Sequence, residues 1–310
     1  MKITPSKSPT YEEKIKQEGA FWDKEVANLM ERGFDFENRE NFRAKNAILI
    51  WEDSFLEGLI RGPYKNEMIA VAAATKGPVL ELGCGTGWLS RKIASHGVEV
   101  TGYDIAEKNI RLANEFAAKQ RQKDPSSGAI KFEIKDLNYA ELPPDQFGAV
   151  VVWDSLHHLP EMEKICEQIK KTLRPGGALV VWDHIDQSGV RGALSKLFTL
   201  FFYLTVPTWE KFSEKVRYVM NRLRGKIPSE ESPFEDAASH SLEGLLKKNF
   251  RIQKKSNPIA FIGFFIARIR PTIKGYKMLI NSLIWLDRTL CKVGILKGEY
   301  VYIVATNEKE

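Results

Sequence analysis

From Pro78 onward, short apolar runs alternate with longer amphipathic stretches. The pattern predicts strands at 78–82, 98–103, 130–135, 148–153 and 178–182, and helices at 87–96, 107–122 and 161–172. Alternation at this spacing implies right-handed βαβ crossovers and a parallel sheet with helices on both faces. The stretch 123–128 is polar and reads as a surface loop, and Leu173-Arg174-Pro175-Gly176-Gly177 reads as a helix stop and turn into the fifth strand.

Upstream, residues 12–30 carry Ile15, Phe21, Trp22, Val26, Leu29 and Met30 at partly helical spacing. Two more helical pieces are predicted at 48–59 and 64–74, separated by Gly62-Pro63. Residues 1–75 thus read as a helical N-terminal cap, either packed on a core or helping to close over a ligand. After His184 the alternation breaks. Apolar, aromatic and basic segments at about 190–227 and 258–297 flank a polar loop at 228–233, a helix at 242–248 and a strand at 250–255. A last strand is predicted at 300–306. No internal repeat is present.

The 310 residues can bury a full core, and their composition is that of an ordinary globular chain. Cys84, Cys166 and Cys291 are far apart and odd in number, which argues against a disulfide framework and for a reducing, cytoplasmic setting. No C-x-x-C pair or Cys/His cluster suggests a metal. The first sixteen residues are polar and lack the apolar region of a signal peptide. The longest apolar runs, 197–207 and 258–267, are about half of the roughly twenty residues that a membrane-spanning helix needs. The net charge of +6 is unevenly spread. The segment 190–227 holds eight Lys/Arg against two acids, and 251–297 holds ten against one.

Candidate chemistry begins at Val79-Leu80-Glu81-Leu82-Gly83-Cys84-Gly85-Thr86-Gly87-Trp88, a buried strand turning through three glycines into a helix. Such a turn lets backbone approach a ligand closely. A dinucleotide-binding turn would space its glycines differently and want a small residue at position 88. In an open parallel sheet, ligands sit at the carboxyl ends of the strands. Those ends carry Asp104 and Ile105, Asp136 and Leu137, Trp153-Asp154-Ser155-Leu156-His157-His158, and Trp182-Asp183-His184.

This series resembles the class I S-adenosylmethionine (SAM) dependent methyltransferases. The acid-x-Gly-x-Gly-x-Gly loop, the two acids and the Leu-x-Pro-Gly-Gly turn match over about 78–184. The resemblance implies an α/β, doubly wound, mostly parallel seven-stranded sheet with an antiparallel last strand. The domain would span 76–310 and carry C-terminal lid insertions. It implies SAM as cofactor, with S-adenosylhomocysteine as product, and no metal. Glu81, Gly83, Cys84, Gly85, Thr86 and Gly87 would meet its methionine end. Asp104 and Ile105 would meet the ribose and Asp136 and Leu137 the adenine; Trp153 and Asp154 would also contact the cofactor, and Asp154 to His157 would line the transferred methyl.

Methyl transfer chiefly needs alignment of donor and acceptor. A base is needed when the nucleophile is a hydroxyl, and histidine suits that task. His157, Asp183 and His184 are the candidate catalytic residues, with His158 weighed behind them. No Asp/Asn-Pro-Pro-Tyr/Phe tetrad follows the fourth strand, which argues against methylation of nucleic-acid base amines. The expected acceptor is a small or amphipathic, lipid-like molecule, methylated at oxygen. The basic, apolar insertions fit three pictures: lids buried against each other, an acceptor pocket at an anionic membrane surface, or an RNA groove. RNA methylation and a non-catalytic SAM-binding module at the membrane are the competing functions. The oligomeric state is not legible.

Overall fold

The computed structural model describes residues 10–37, 47–224, 232–235, 237 and 242–308. Seven strands form one sheet: β1 (Val79–Leu82), β2 (Val100–Asp104), β3 (Ile130–Ile134), β4 (Phe147–Trp153), β5 (Leu173–His184), β6 (Arg251–Ser256) and β7 (Tyr300–Thr306). Their order is β3-β2-β1-β4-β5-β7-β6. Strands β1 to β5 are parallel, and β7 runs antiparallel to both β5 and β6. The order reverses between β1 and β4. Their carboxyl ends therefore flank the crevice where such sheets bind ligands.

The central strands are buried on both faces and alternate between two cores. Val79, Val151, Val180 and Trp182 join one cluster with helices α2 (Ser54–Ile60), α3 (Gly62–Ala73) and α4 (Trp88–Ala94). Leu80, Val150, Val152 and Val181 join the other with α6 (Met162–Thr172) and α9 (Leu242–Asn249). Helix α5 (Glu107–Lys123) packs its Leu112 and Phe116 on Val26 of α1 (Tyr11–Glu31).

Two expectations need correction. The two helices part as expected, but at Arg61, one residue before Gly62-Pro63. Pro63 sits in the first turn of α3, where its missing N–H is not needed. The preceding piece is a 3₁₀ turn at Ile50–Glu52 and then α2, which Asp53 caps by accepting from Phe55 N and Leu56 N. Residues 173–177 are not a free turn but the start of β5. Leu173 pairs with Phe147, and the buried Asn307 binds Gly176 and Gly177 through its backbone and Leu173 through its side chain. The polar loop expected at 228–233 lies outside the described residues except for 232 and 233.

The two insertions build α7 (Gly189–Thr205), α8 (Phe212–Leu223) and α10 (Tyr276–Lys292). Phe198 and Phe202 of α7 meet Phe261 of the second insertion, with Phe202 stacked on Phe261 at 4.9 Å. Asp287 of α10 is buried and accepts backbone N–H bonds from Ala260, Phe261 and Ile262. The insertions thus bury their apolar faces against each other. Among the described residues no helix is long and apolar enough to cross a membrane.

Candidate active site

The glycine loop leaves β1 with a left-handed backbone. At Gly83 φ is 70°, and a Cβ there would lie 2.3 Å from Ser155 Cβ. Gly85 is also left-handed (φ 52°), but nothing lies within 4 Å of its would-be Cβ. Its backbone therefore fronts open space that a ligand can enter. Behind the loop, Gly87 starts α4 without a side-chain cap. Glu81 supplies one from the strand, accepting from Ser90 N at 2.9 Å and from the Ser90 hydroxyl. Burial pushes its carboxyl up to about 8, against the bonds from Ser90. Burial, reinforced by Asp104, keeps Cys84 a thiol, so the loop holds no reactive nucleophile.

Asp104 braces the loop from β2. One carboxylate oxygen accepts from Gly85 N at 2.8 Å and the other from Ala106 N at 2.9 Å. Burial raises its carboxyl above the ordinary value despite these bonds. Asp136, after β3, accepts from Asn138 N and from the Tyr11 hydroxyl of α1, the latter at 2.7 Å. Two carboxylates on adjacent strand ends, beside open glycine backbone, form a set with the chemistry to accept hydrogen bonds from a nucleoside. This donor and acceptor set fits the ribose and adenine of SAM.

These residues line one cavity of about 300 Å³, at the small end of the roughly 300–1,000 Å³ of small-molecule sites. Gly83 to Thr86, Asp104, Ile105, Asp136 and Leu137 form one side. Trp153, Asp154, Ser155 and His158 form another, and Trp22, Phe36 and Trp51 from the N-terminal region complete the wall. None of the described residues of 190–227 or 258–297 lines it. Of the three pictures for the insertions, lids packed on each other through Phe198, Phe202 and Phe261 fits this arrangement, and the acceptor-pocket picture does not fit this cavity.

Beyond β4 the backbone is strained. Asp154 has φ 61°, a region that residues other than glycine seldom occupy. Its N–H donates to Trp182 O at 2.7 Å, and its carboxylate accepts from Arg61 at 3.0 Å. Arg61 is buried over the Trp153 ring at 4.9 Å and also lines the cavity. Its Nε has no hydrogen-bond partner among the described residues.

Asp183 is fully buried at the end of β5 and saturated with donors. It accepts from Ser155 N, Leu156 N and His184 N, and meets His157 Nδ1 at 2.6 Å. Burial opposes the charge on both partners, yet their mutual attraction wins. His157 is held well above the ordinary imidazole value, and Asp183 below the ordinary carboxylate value. His158 behaves oppositely: burial, then the charge on His157, pushes it down to about 4. Its Nδ1 lies 3.1 Å from Ser232 Oγ and 3.5 Å from Glu18 Oε1, and its ring meets Trp22 edge-on at 5.2 Å.

Of the candidate catalytic residues, His157, Asp183 and His184 lie behind the cavity wall, whereas His158 is in it. Asp183, with every oxygen engaged by backbone or His157, is built to position the loop after β4 rather than to touch a ligand. His184 stacks edge-on against Tyr300 at 4.8 Å. Of the candidate cofactor residues, Gly87 alone stays out of the cavity, with Phe132 packed where its Cβ would be. Sequence reasoning missed Arg61, Tyr11, Glu18 and Glu235, whose carboxylate lies 3.7 Å from His157 Nε2. None stands in a motif, and each reaches the site by tertiary contact.

Comparison with known proteins agrees with this geometry. The family model for a methyltransferase domain matches residues 79–177. The chain is 34% identical over 108 residues to a 27-O-demethylrifamycin SV methyltransferase of Amycolatopsis mediterranei, covering 34% of this chain and 38% of that one. It is 35% identical over 102 residues to a ubiquinone biosynthesis O-methyltransferase of Idiomarina loihiensis, covering 33% and 40%. The match therefore spans about two fifths of the length of these relatives. Among solved structures, the [4+2]-cyclase SpnF aligns over 98% of both chains with a TM-score of 0.56 at 16% identity, a likeness of fold alone. Residues 79–177 of the chain thus match a methyltransferase domain, set in a sheet of the same fold.

Proposed function

We propose that the protein transfers a methyl group from SAM to a hydroxyl oxygen of a small, amphipathic acceptor. The observation that carries this reading is the single cavity shared by the glycine loop, Asp104 and Asp136 on one side and His158 on the other. SAM, when bound, supplies a methyl group on sulfonium, whose carbon–sulfur bond breaks as the oxygen–carbon bond forms. The chain's part is alignment, removal of one proton and exclusion of water. Trp22, Phe36, Trp51 and Trp153 give the cavity the apolar wall that suits an acceptor with an apolar body. The preference for oxygen is supported by the Idiomarina relative, which is named as an O-methyltransferase.

The proton goes to His158 in this reading. It is uncharged at neutral pH and borders the cavity. A low imidazole value does not disqualify it, because a hydroxyl becomes far more acidic once its oxygen bonds the methyl carbon. His157 stays charged and, with Asp183, fixes the orientation of its neighbour. The N-terminal region up to residue 75 serves as the cap. Loading of the acceptor from an anionic membrane surface belongs to the same reading and suits the basic insertions.

Calorimetric titration tests the cofactor half. SAM and S-adenosylhomocysteine should bind wild type, and Asp104→Ala should weaken both by about tenfold or more, the worth of a charge-assisted bond. Labelled methyl transfer tests the chemistry. His158→Gln should lower kcat on hydroxyl acceptors by about 10²-fold or more while the cofactor affinity holds. Transfer to an amine with no loss in that variant would overturn the oxygen assignment.

A further inference from the structure

We propose that α8, together with the outer face of α7, docks the protein on an anionic lipid bilayer. This rests on the amphipathic acceptor of the preceding reading for its purpose, though not for its measurement. Phe212, Val216, Met220 and Leu223 of α8 are 66%, 38%, 41% and 77% exposed. At 3.6 residues per turn these four fall within an arc of about 80°. They form an unbroken apolar stripe along the whole of a twelve-residue helix. Helix α7 repeats the pattern, with Val190, Leu197 and Phe201 each about 60% exposed or more and within an arc of about 40°.

The stripe is not an unfinished core. The other side of α8 is already committed: Lys215 is 4% exposed, and its ammonium donates to Tyr203 O at 2.8 Å and Val206 O at 2.5 Å at the end of α7. Tyr218 packs on Phe264 at 5.6 Å. The helix is thus already fastened through Lys215, Tyr218 and Val219, and it carries this second apolar side outward. Scattered exposed apolar residues are normal, but a continuous stripe marks an interaction surface.

Charge identifies the occupant. Arg217 and Arg224 flank the stripe and Lys196 stands on α7, all exposed. Glu214 is the single acid within α8. Long basic side chains reach lipid headgroups while apolar neighbours enter the acyl boundary, and an anionic leaflet attracts each cation. Neither helix can cross a bilayer, so α8 and α7 lie in the plane of the surface.

Vesicle co-sedimentation of the full chain tests this. Wild type should bind vesicles of phosphatidylglycerol and phosphatidylcholine about tenfold more tightly, or better, than phosphatidylcholine alone, and salt should weaken the binding. Phe212→Ser/Leu223→Ser and Arg217→Glu/Arg224→Glu should each lose about tenfold or more. Titration with S-adenosylhomocysteine, read separately, should be unchanged in both variants and so reports that they fold. Three outcomes would overturn the proposal: no preference for the anionic vesicles, unaltered binding by both variants, or a wild-type dimer that the serine variant dissociates while vesicles bind neither. Because no step needs turnover, failure of methyl transfer leaves docking intact, and failure of docking leaves the cofactor site intact.

Discussion

Two adjacent imidazoles, ring centres 4.0 Å apart, carry one positive charge between them at neutral pH. Asp183 decides that His157 carries it. The stability each histidine contributes then depends on pH in opposite ways. His157 is raised, so its contribution is complete below the ordinary imidazole value near 6.5 and is lost as pH climbs above it. Asp183 is lowered, so its share is present above the ordinary carboxylate value and lost only in stronger acid. His158 is lowered to about 4, so the unfolded chain takes up its proton first and stability falls as pH drops from 6.5 towards 4. From these three groups, denaturant unfolding across pH should give a maximum near 6.5. His158→Asn should flatten the acid side, worth about 3 kcal/mol at about 1.4 kcal/mol per pH unit. Asp183→Asn should flatten the alkaline side and cost about 3–5 kcal/mol at neutral pH, since it strands one half of a buried ion pair. An alkaline limb that survives Asp183→Asn would mean the pair is not its source.

Helix α1 shows how an element acquires a task that its own sequence does not announce. Its apolar residues have the spacing of a surface helix, and its first turn carries an ordinary capping box at Thr10 and Glu13. Its polar residues are spent elsewhere. Tyr11 reaches Asp136, and Glu18 accepts from Phe234 N. Asp23 accepts from Lys108 N at 2.7 Å, capping α5, which has no side-chain cap of its own. Asp23→Ala should therefore cost about 1 kcal/mol in urea unfolding, the worth of an N-cap. It should also raise hydrogen exchange in α1 relative to β1. Equal exchange in α1 before and after would show that the helix is held by its apolar side alone. The same contrast explains what the sequence reveals. Strands β1 to β5 and helices α4 to α6 follow from period and turn residues, and the glycine loop, Asp104 and Asp136 follow from their places at strand ends. Arg61 stands in no motif, because a buried arginine beside Gly62-Pro63 looks like a solvated one until Trp153 and Asp154 fold against it. His157 and His158 are adjacent in sequence, and only the third dimension shows which faces the cavity.

Across the whole molecule, the cavity is walled by the strand ends and the N-terminal region, while the aromatic residues of the insertions pack into the same apolar cluster as α2 to α4. The insertions also touch the N-terminal region directly, Arg288 donating to Leu59 O at 2.7 Å, and the cavity wall is linked to β7 through Trp182. This ring is fully buried, stacks on Trp153 of the cavity wall at 5.1 Å and on Tyr300 of β7 at 5.0 Å. The division predicts separable effects. Phe261 is 1% exposed and stacks on Phe202 within the insertions, so Phe261→Ala should cost about 3–5 kcal/mol through the cavity it leaves. Its distance from the glycine loop in the contact network should leave the affinity of the folded protein for S-adenosylhomocysteine within about twofold of wild type. Trp182→Ala should cost a similar amount of stability, about 3–5 kcal/mol, and should also weaken the ligand. It removes the support beneath Trp153 and one of the rings beneath Arg61, whose guanidinium lies 5.5 Å from it. Calorimetry on both variants, at a temperature where each is folded, separates the two cases. Equal ligand affinity in both would mean that Trp153 holds its position without Trp182, and that the insertions and the cavity are mechanically independent.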